Sequence, residues 1–355
     1  MSPSRRFDRQ TRFTPLGPAG QERLESASVG IVGCGALGGV LAQSLCRAGI
    51  GSLTLIDRDV VEETNLPRQV LFNEQHARDA TPKVTASAES LAPIGGPTRL
   101  LPIAAHLDAA NIEEHLAGCH IVLDGTDNLA TRYLLNDWSI SELVPWIYGG
   151  AVASGGLVLP VLPGRGPCLR CIFPDPPPPG TLPTCDTAGV IQPAVGLVAS
   201  LQAGLALRIL VENSLQPDSS EAEQSAVTTP LEPALHQLDA WTGELRRLTA
   251  TRRPDCPCCA AGEFPFLDRE EPSPAITLCG RRAVQVFTHR GRTPDMVALS
   301  TSLTGLATNL RRAGDLLRFE VEDTAITLFP DGRALIEGTE DTGQALALYD
   351  RYIGS

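Results

Sequence analysis

Two short cysteine runs, Cys168-Leu169-Arg170-Cys171 and Cys256-Pro257-Cys258-Cys259, lie far apart in the chain. A Cys-x-x-Cys spacing places two thiolates on one turn. Two such turns supply four sulfurs, each about 2.3 Å from one ion, which is the closed tetrahedral arrangement of a structural zinc site with no open position for catalysis. Cys168, Cys171, Cys256 and Cys259 are the expected ligands, Cys258 is the spare, and two disulfides or buried free thiols are the alternatives. Residues 1–10 are polar and arginine-bearing with no apolar stretch behind them, which speaks against a cleaved signal peptide and makes the cytoplasm the expected compartment. There, ten cysteines point to metal or catalytic chemistry before disulfides.

A second constellation is Gly33, Gly35 and Gly38, a Gly-x-Gly-x-x-Gly run between an apolar segment and a helical pattern. Glycines at this spacing let backbone N–H groups approach a phosphate, and the helix N-terminus that follows favours negative charge. Asp57 closes the next apolar run and is placed to accept hydrogen bonds from ribose hydroxyls. These residues point to a nucleotide without saying which one, so NAD-dependent redox chemistry stays open. Six histidines without His-x-x-x-His spacing, and no Gly-x-Ser-x-Gly, leave hydrolase readings unsupported.

The elements that must position these residues follow from periodicity. Residues 28–32 form an apolar run, 37–48 a helical pattern and 53–56 a second apolar run ending at Asp57, which together make a βαβ unit. Further buried strands are expected at 121–123, before Asp124, and at 146–148, before Gly149 and Gly150. The expected fold is α/β: a doubly wound, Rossmann-like, mostly parallel sheet covered on both faces. A proline-rich loop (174–183), an apolar helix (194–211) and a Ser/Glu/Gln-rich surface excursion (213–229) come next. After the second cysteine run, short strands at 276–279 and 283–287, a helix near 296–313, strands near 316–321 and 325–329, a turn at Asp331 and Gly332 and a final helix read as a separate small α+β domain. The domain boundaries are placed at 1–263 and 264–355. No run of about 18 apolar residues suited to a bilayer is expected, and a net charge of −12 disfavours a nucleic-acid partner.

The segment after Asp57, Arg58-Asp59-Val60-Val61-Glu62-Glu63-Thr64-Asn65-Leu66-Pro67-Arg68-Gln69, resembles the ATP site of the ThiF/MoeB/HesA family of ubiquitin-activating-enzyme-like adenylyltransferases. Arg6-Phe7-Asp8-Arg9-Gln10 is similar to the family's N-terminal Arg-Gln motif. Pro82-Lys83 matches its Pro-Lys, and Asp124-Gly125-Thr126-Asp127-Asn128 its aspartate-rich turn. The motifs run in order from about residue 6 to 259. The resemblance implies that a carrier carboxylate is drawn onto the α-phosphate of ATP and pyrophosphate is expelled, a transfer in which the protein mainly positions groups and neutralises charge. Arg68 and Lys83 suit phosphate, Asn65 suits phosphate or ribose, and Asp127 suits Mg²⁺ through oxygen. Asp59, Gln69 and Asn128 complete the expected nucleotide set. In the family an arginine matching Arg9 reaches the neighbouring subunit's site, which implies a homodimer.

Cys185, after the proline-rich stretch, resembles the family's cysteine on the loop crossing the active site, where a thiol can attack an acyl-adenylate or take part in sulfur handover. The implied partners are a ubiquitin-like sulfur carrier protein ending in Gly-Gly and a sulfur donor such as a cysteine desulfurase. Residues 264–355 hold one cysteine, Cys279, so a sulfur-delivering rhodanese domain is not expected. The run 328–339 looks like the C-terminal extension of some bacterial ThiF-type proteins, which points towards thiamine biosynthesis. The rivals are the same chemistry on the molybdopterin synthase small subunit, an NAD-dependent oxidoreductase, and a non-enzymatic nucleotide-binding module.

Overall fold

The computed structural model describes residues 5–177, 185–212, 231–268, 274–277, 282–287, 294–313 and 316–354. The chain divides into two compact units: Met1–Arg78 with Pro82–Arg269, and Asp79–Thr81 with Glu270–Ser355.

The first unit is built on eight strands: β1 Ser28–Val32, β2 Ser52–Ile56, β3 Arg99–Ile103, β4 Ile121–Asp124, β5 Trp146–Val152, β6 Gly155–Val161, β7 Ala234–Asp239 and β8 Glu244–Thr249, in the order β3-β2-β1-β4-β5-β6-β7-β8. The five strands from β3 to β5 pair in parallel, and β6 to β8 add an antiparallel end. Because strand side chains alternate faces, Val29, Ile31, Leu53, Leu55, Ile121, Leu123 and Ile147 pack into one core. Val32, Ile56, Val122, Trp146 and Tyr148 pack into the other. Both faces are covered, so the parallel strands read as unbroken apolar runs. The chain order reverses between β1 and β4, the crevice where open α/β sheets bind ligands at the carboxyl ends of their strands.

The helix Ala36–Ala48 leaves β1 at Gly35 and ends on Gly49, which has φ +83°. The helix Gln192–Val211 packs into the first core through Val195, Val198, Ala199, Ala203 and Ile209. Against expectation, its length and mean hydropathy of 1.9 are those of a membrane span. Its buried Gln202, however, donates to the backbone carbonyls of Asp124 and Ile147 at 2.9 and 3.1 Å, as a core helix closing a sheet does.

The second unit is a six-stranded antiparallel sheet. Its strands are β9 Ala275–Thr277, β10 Ala283–Val286, β11 Thr308–Ala313, β12 Leu316–Val321, β13 Thr324–Leu328 and β14 Ala334–Glu337, in the order β11-β12-β13-β14-β10-β9. Its core gathers Val284, Phe319, Ile326, Leu328 and Ile336 with Leu303, Leu348 and Tyr349 from the helices Met296–Leu303 and Thr342–Tyr352. The helix expected over 296–313 stops at Leu303. Gly305 takes φ +85°, and the chain turns there into β11, which pairs with β12. The expected turn at Asp331 and Gly332 joins β13 to β14, with Gly332 N–H donating to Phe329 O at 2.9 Å. Cys279, most of the proline-rich loop and the 213–229 excursion lie outside the described residues.

Candidate nucleotide site and four-cysteine centre

The glycines after β1 are fixed by contacts between backbone segments. Gly33 has φ +88°, and a Cβ there would stand 2.6 Å from the Gly125 carbonyl carbon; a Cβ on Gly38 would stand 1.8 Å from Gly33 O. A Cβ on Gly125 would reach Gly33 O at 2.2 Å. Gly33, Gly38 and Gly125 therefore bring the loops after β1 and β4 and the following helix to a distance no side chain permits. Gly35 instead faces the Gln69 amide, 3.5 Å from where its Cβ would be.

Asp57 ties this loop to the strand beside it. Its Oδ2 accepts from Cys34 N–H at 2.7 Å and its Oδ1 from Asp59 N–H at 2.8 Å. Each carboxylate oxygen keeps a further lone pair for a ligand hydroxyl. Burial pushes the Asp57 carboxyl up, Lys83 opposes that shift, and Asp59 adds to it. Lys83 is buried and its ammonium meets Asp59 Oδ2 at 3.0 Å. The backbone holds the same pair together, since Lys83 N–H donates to Asp59 O at 2.9 Å.

Asn65 sits on the single turn Glu63–Asn65. Its Oδ1 accepts from Glu62 N–H at 3.1 Å. Gln69 N–H donates to Asn65 O at 2.9 Å, which aligns the two side chains one turn apart. Both are buried, and Asn65 Nδ2 and Gln69 Oε1 have no hydrogen-bond partner. Such groups are costly unless something satisfies them. A polar ligand that reaches these two amides would do so, and ATP fits on those grounds. Arg68 is half-buried and donates to Thr64 O at 2.8 Å.

The Asp124-Gly125-Thr126-Asp127-Asn128 turn closes the other side. Asn128 caps the helix Leu129–Glu142, accepting from Ala130 and Thr131 N–H, and Asp127 is exposed beside it. Arg132, buried one turn into the helix, was not singled out from sequence. Its Nε donates to the fully buried Asp124 at 2.9 Å. Its second amine donates to Thr126 O at 2.6 Å and Gly149 O at 2.9 Å, and its guanidinium lies 5.1 Å from the Tyr148 ring centre. Burial pushes the Asp124 carboxyl up against the pull of Arg132 and Thr126. The signal available was positional, an arginine four residues after an N-cap asparagine. Arg58 was also passed over; it meets His106 Nδ1 at 3.2 Å, beyond the end of β3.

Gly33, Gly35, Gly38, Asp57 and Asp59 thus follow β1 and β2, with Lys83 paired to Asp59 and Gln69 beside Gly35 one turn from Asn65; Asp127 and Asn128 follow β4, and Arg68 contacts its own turn at Thr64. Arg9 is not brought there. It is exposed on Asp8–Thr11, a segment that Gln10 ties to Ala48 O at 2.9 Å. That is the far end of the helix Ala36–Ala48, about 20 Å from the glycine loop by helix rise. Cys185 begins the short helix Cys185–Ala188, and its side chain lies outside the described residues. The segment just after that helix is stitched to the end of β5, with Ala153 N–H donating to Gly189 O at 2.8 Å and Ile191 N–H to Ala153 O at 3.0 Å.

Cys168, Cys171, Cys256 and Cys259 converge, with all four sulfurs within 4.8 Å of one another. Three of the separations are 3.5, 3.6 and 3.9 Å, close to the roughly 3.8 Å between sulfurs of a tetrahedron with 2.3 Å bonds. None of the four is in a disulfide. The hydrogen-bonded Cys258 thiol and burial push the Cys168 thiol up, and burial pushes Cys259 up. Four thiolates around one dication would resolve that conflict. Arg253 N–H donates to Cys171 Sγ at 3.4 Å, the outer-shell support such ligands need.

Comparison with known proteins agrees with this geometry. The sulfur carrier protein ThiS adenylyltransferase of Bacillus subtilis (strain 168) is 36% identical over 351 residues, covering 98% of this chain and 99% of the relative. The sulfur carrier protein adenylyltransferase of Thermus thermophilus is 36% identical, covering 72% of this chain and 90% of the relative. A crystal structure of E. coli MccB with AMPCPP and MccA matches with a TM-score of 0.61 at 20% identity, covering 73% of this chain and 75% of that one, a likeness of fold. A family model described as the ThiF family matches residues 7–258, and the chain belongs to the ThiF family.

Proposed function

We propose that the chain is an ATP-dependent adenylyltransferase acting on the C-terminal glycine carboxylate of a ubiquitin-like sulfur carrier protein of the ThiS type. A carboxylate oxygen bonds to the α-phosphorus of ATP, the bond to the β-phosphate bridging oxygen breaks, and pyrophosphate leaves with that electron pair. The product is a carrier acyl-adenylate, ready for thiocarboxylate formation. The observation that carries this reading is the match to the Bacillus ThiS adenylyltransferase over 98% of the chain, which extends through the C-terminal unit, whereas the Thermus relative matches 72%. The molybdopterin-type alternative shares the chemistry and differs in the carrier. The adenylation module is assigned to residues 1–263 and the small α+β domain to 264–355.

In this reading Asp57 holds the ribose hydroxyls, and the unpartnered Asn65 Nδ2 and Gln69 Oε1 take up polar atoms of the nucleotide. Arg68 and Lys83 neutralise phosphate charge; Lys83 does so by sharing its ammonium between Asp59 and the ligand. Asp127, exposed beside the capped helix, supplies a hard oxygen ligand for the Mg²⁺ that accompanies ATP. Arg9 serves the site of a second copy, a role consistent with its distance from its own site, so the working unit is a homodimer. Cys185 takes part in sulfur handover from a donor such as a cysteine desulfurase, and the four cysteines hold a structural zinc.

ATP–pyrophosphate exchange tests this reading, with thiamine-type and molybdopterin-type carriers each offered with and without the terminal glycines. Exchange with the intact thiamine-type carrier alone is the expected result. Exchange with the other carrier alone moves the protein to the alternative pathway. Exchange with neither rejects the activity.

A further inference from the structure

The spare cysteine of the second cluster is engaged in the structure. Asn136, fully buried on the helix Leu129–Glu142, uses both ends of its carboxamide. Its Oδ1 accepts from Leu169 N–H at 2.8 Å, and its Nδ2 donates to Cys258 Sγ at 3.2 Å. Leu169 follows Cys168 on the first cysteine turn, and Cys258 precedes Cys259 on the second. One side chain therefore spans two turns that the chain supplies from positions 88 residues apart.

Cys258 is fully buried, and Asp137 belongs to the same buried group, with Asn136 Nδ2 3.5 Å from its Oδ1. Asp137 is itself fully buried, accepts from Phe266 N–H at 3.1 Å and lies 4.0 Å from Arg170. The Cys258 sulfur thus accepts from the Asn136 amide. A sulfur held in this way is tied to the helix Leu129–Glu142 and is not among the four that come together. The other four sulfurs converge on one point.

We propose that Asn136 and Cys258 form an amide–thiol clamp around the four-cysteine centre, a pair of positioning residues that fixes the two cysteine turns at ligand spacing and keeps Cys258 outside the ligand set. This deepens the metal-centre reading and rests on it. It also gives a physical reason for the third cysteine in Cys256-Pro257-Cys258-Cys259. Outer-shell partners of this kind are worth about 10–100-fold in metal affinity.

The test uses the full chain, loaded with zinc or with Co²⁺. Thiolate-to-cobalt charge-transfer intensity counts the sulfur ligands, and competition with a chromophoric chelator gives zinc affinity. Cys258→Ala and Asn136→Ala are expected to keep the full four-thiolate intensity while binding zinc about 10–100-fold more weakly. Cys258→Ser, which keeps an acceptor for Asn136 Nδ2, is expected to stay within a few-fold of wild type, about the scale of one retained hydrogen bond. If Asn136→Ala does not fold, Asn136→Asp is read in the same way, because it keeps the acceptor for Leu169 N–H and loses the donor for Cys258. A one-thiolate drop in cobalt intensity for Cys258→Ala makes Cys258 a ligand and overturns the clamp. Wild-type zinc affinity in both Cys258→Ala and Asn136→Ala also overturns it and leaves the metal centre standing. A wild-type protein that binds neither ion removes the centre and the clamp together.

Discussion

Arg132 holds the turn that carries Asp127, and replacing it with leucine measures how firmly. The substitution removes three donated hydrogen bonds, at 2.9, 2.6 and 2.9 Å, and leaves the fully buried Asp124 without its counter-charge. Breaking a buried ion pair on one side costs about 3–5 kcal/mol. Asp124 still accepts from Thr126 N–H at 2.8 Å, Thr126 Oγ1 at 2.7 Å and Gly149 N–H at 3.4 Å, so the lower end, about 3 kcal/mol, is expected. The deficit depends on pH in a defined direction. Burial already raises the Asp124 carboxyl in the folded chain, and losing Arg132 raises it further. An acid whose folded pKa exceeds its unfolded value, about 3.9, loses stability as pH rises through the folded pKa. The Arg132→Leu deficit should therefore be largest near neutrality and shrink as pH falls. Urea unfolding across pH reads both quantities. Adding Asp124→Asn to the variant should recover about 1–3 kcal/mol, the range for directly coupled pairs. A deficit under about 1 kcal/mol, typical of a surface pair, or one that does not change with pH, refutes the buried-pair account.

Asp127→Ala should abolish pyrophosphate exchange while leaving the unfolding transition in place, because Asp127 is exposed; retained exchange would remove its magnesium role. Cys185→Ala should leave exchange intact and impair thiocarboxylate formation, and unimpaired sulfur transfer would make Cys185 a bystander. Nucleotide affinity should fall on acidification with a midpoint above the ordinary carboxylate value of about 3.9, since Asp57 is raised by burial and binds ribose only as the carboxylate. Calorimetric titration across pH checks this, and a flat profile down to that value would count against Asp57 as the ribose acceptor.

The inner parallel strands are legible because both their faces are buried. β1, β2 and β4 are apolar runs that stop at glycine or aspartate, where the chain must turn towards a ligand. β3, with its proline, and β8, whose every residue is exposed, carry no such run and were passed over. The helix expected over 296–313 ends early because the chain turns at Gly305, and only pairing with β12 reveals the strand Thr308–Ala313. In the site, the glycines, Asp57, Asn65 and Lys83 stood out through spacing and family motif. Arg132, Asn136 and Gln202 did not, because a polar residue buried inside a helix looks the same in sequence as one facing water. Their roles depend on partners 8, 33, 78 and 122 residues away. The Asp59–Lys83 pair has the same origin, a bridge between Val60 and Pro82 that no local pattern announces.

The central claim is that this chain places AMP on a carrier carboxylate. Intact-mass measurement of a thiamine-type carrier, incubated with the protein, ATP and Mg²⁺ in the presence of pyrophosphatase, tests it most directly. The account predicts that the carrier gains the mass of one adenylyl group, that the gain requires the terminal glycines, and that it disappears with Asp127→Ala. A protein that binds ATP yet leaves every carrier's mass unchanged would contradict it.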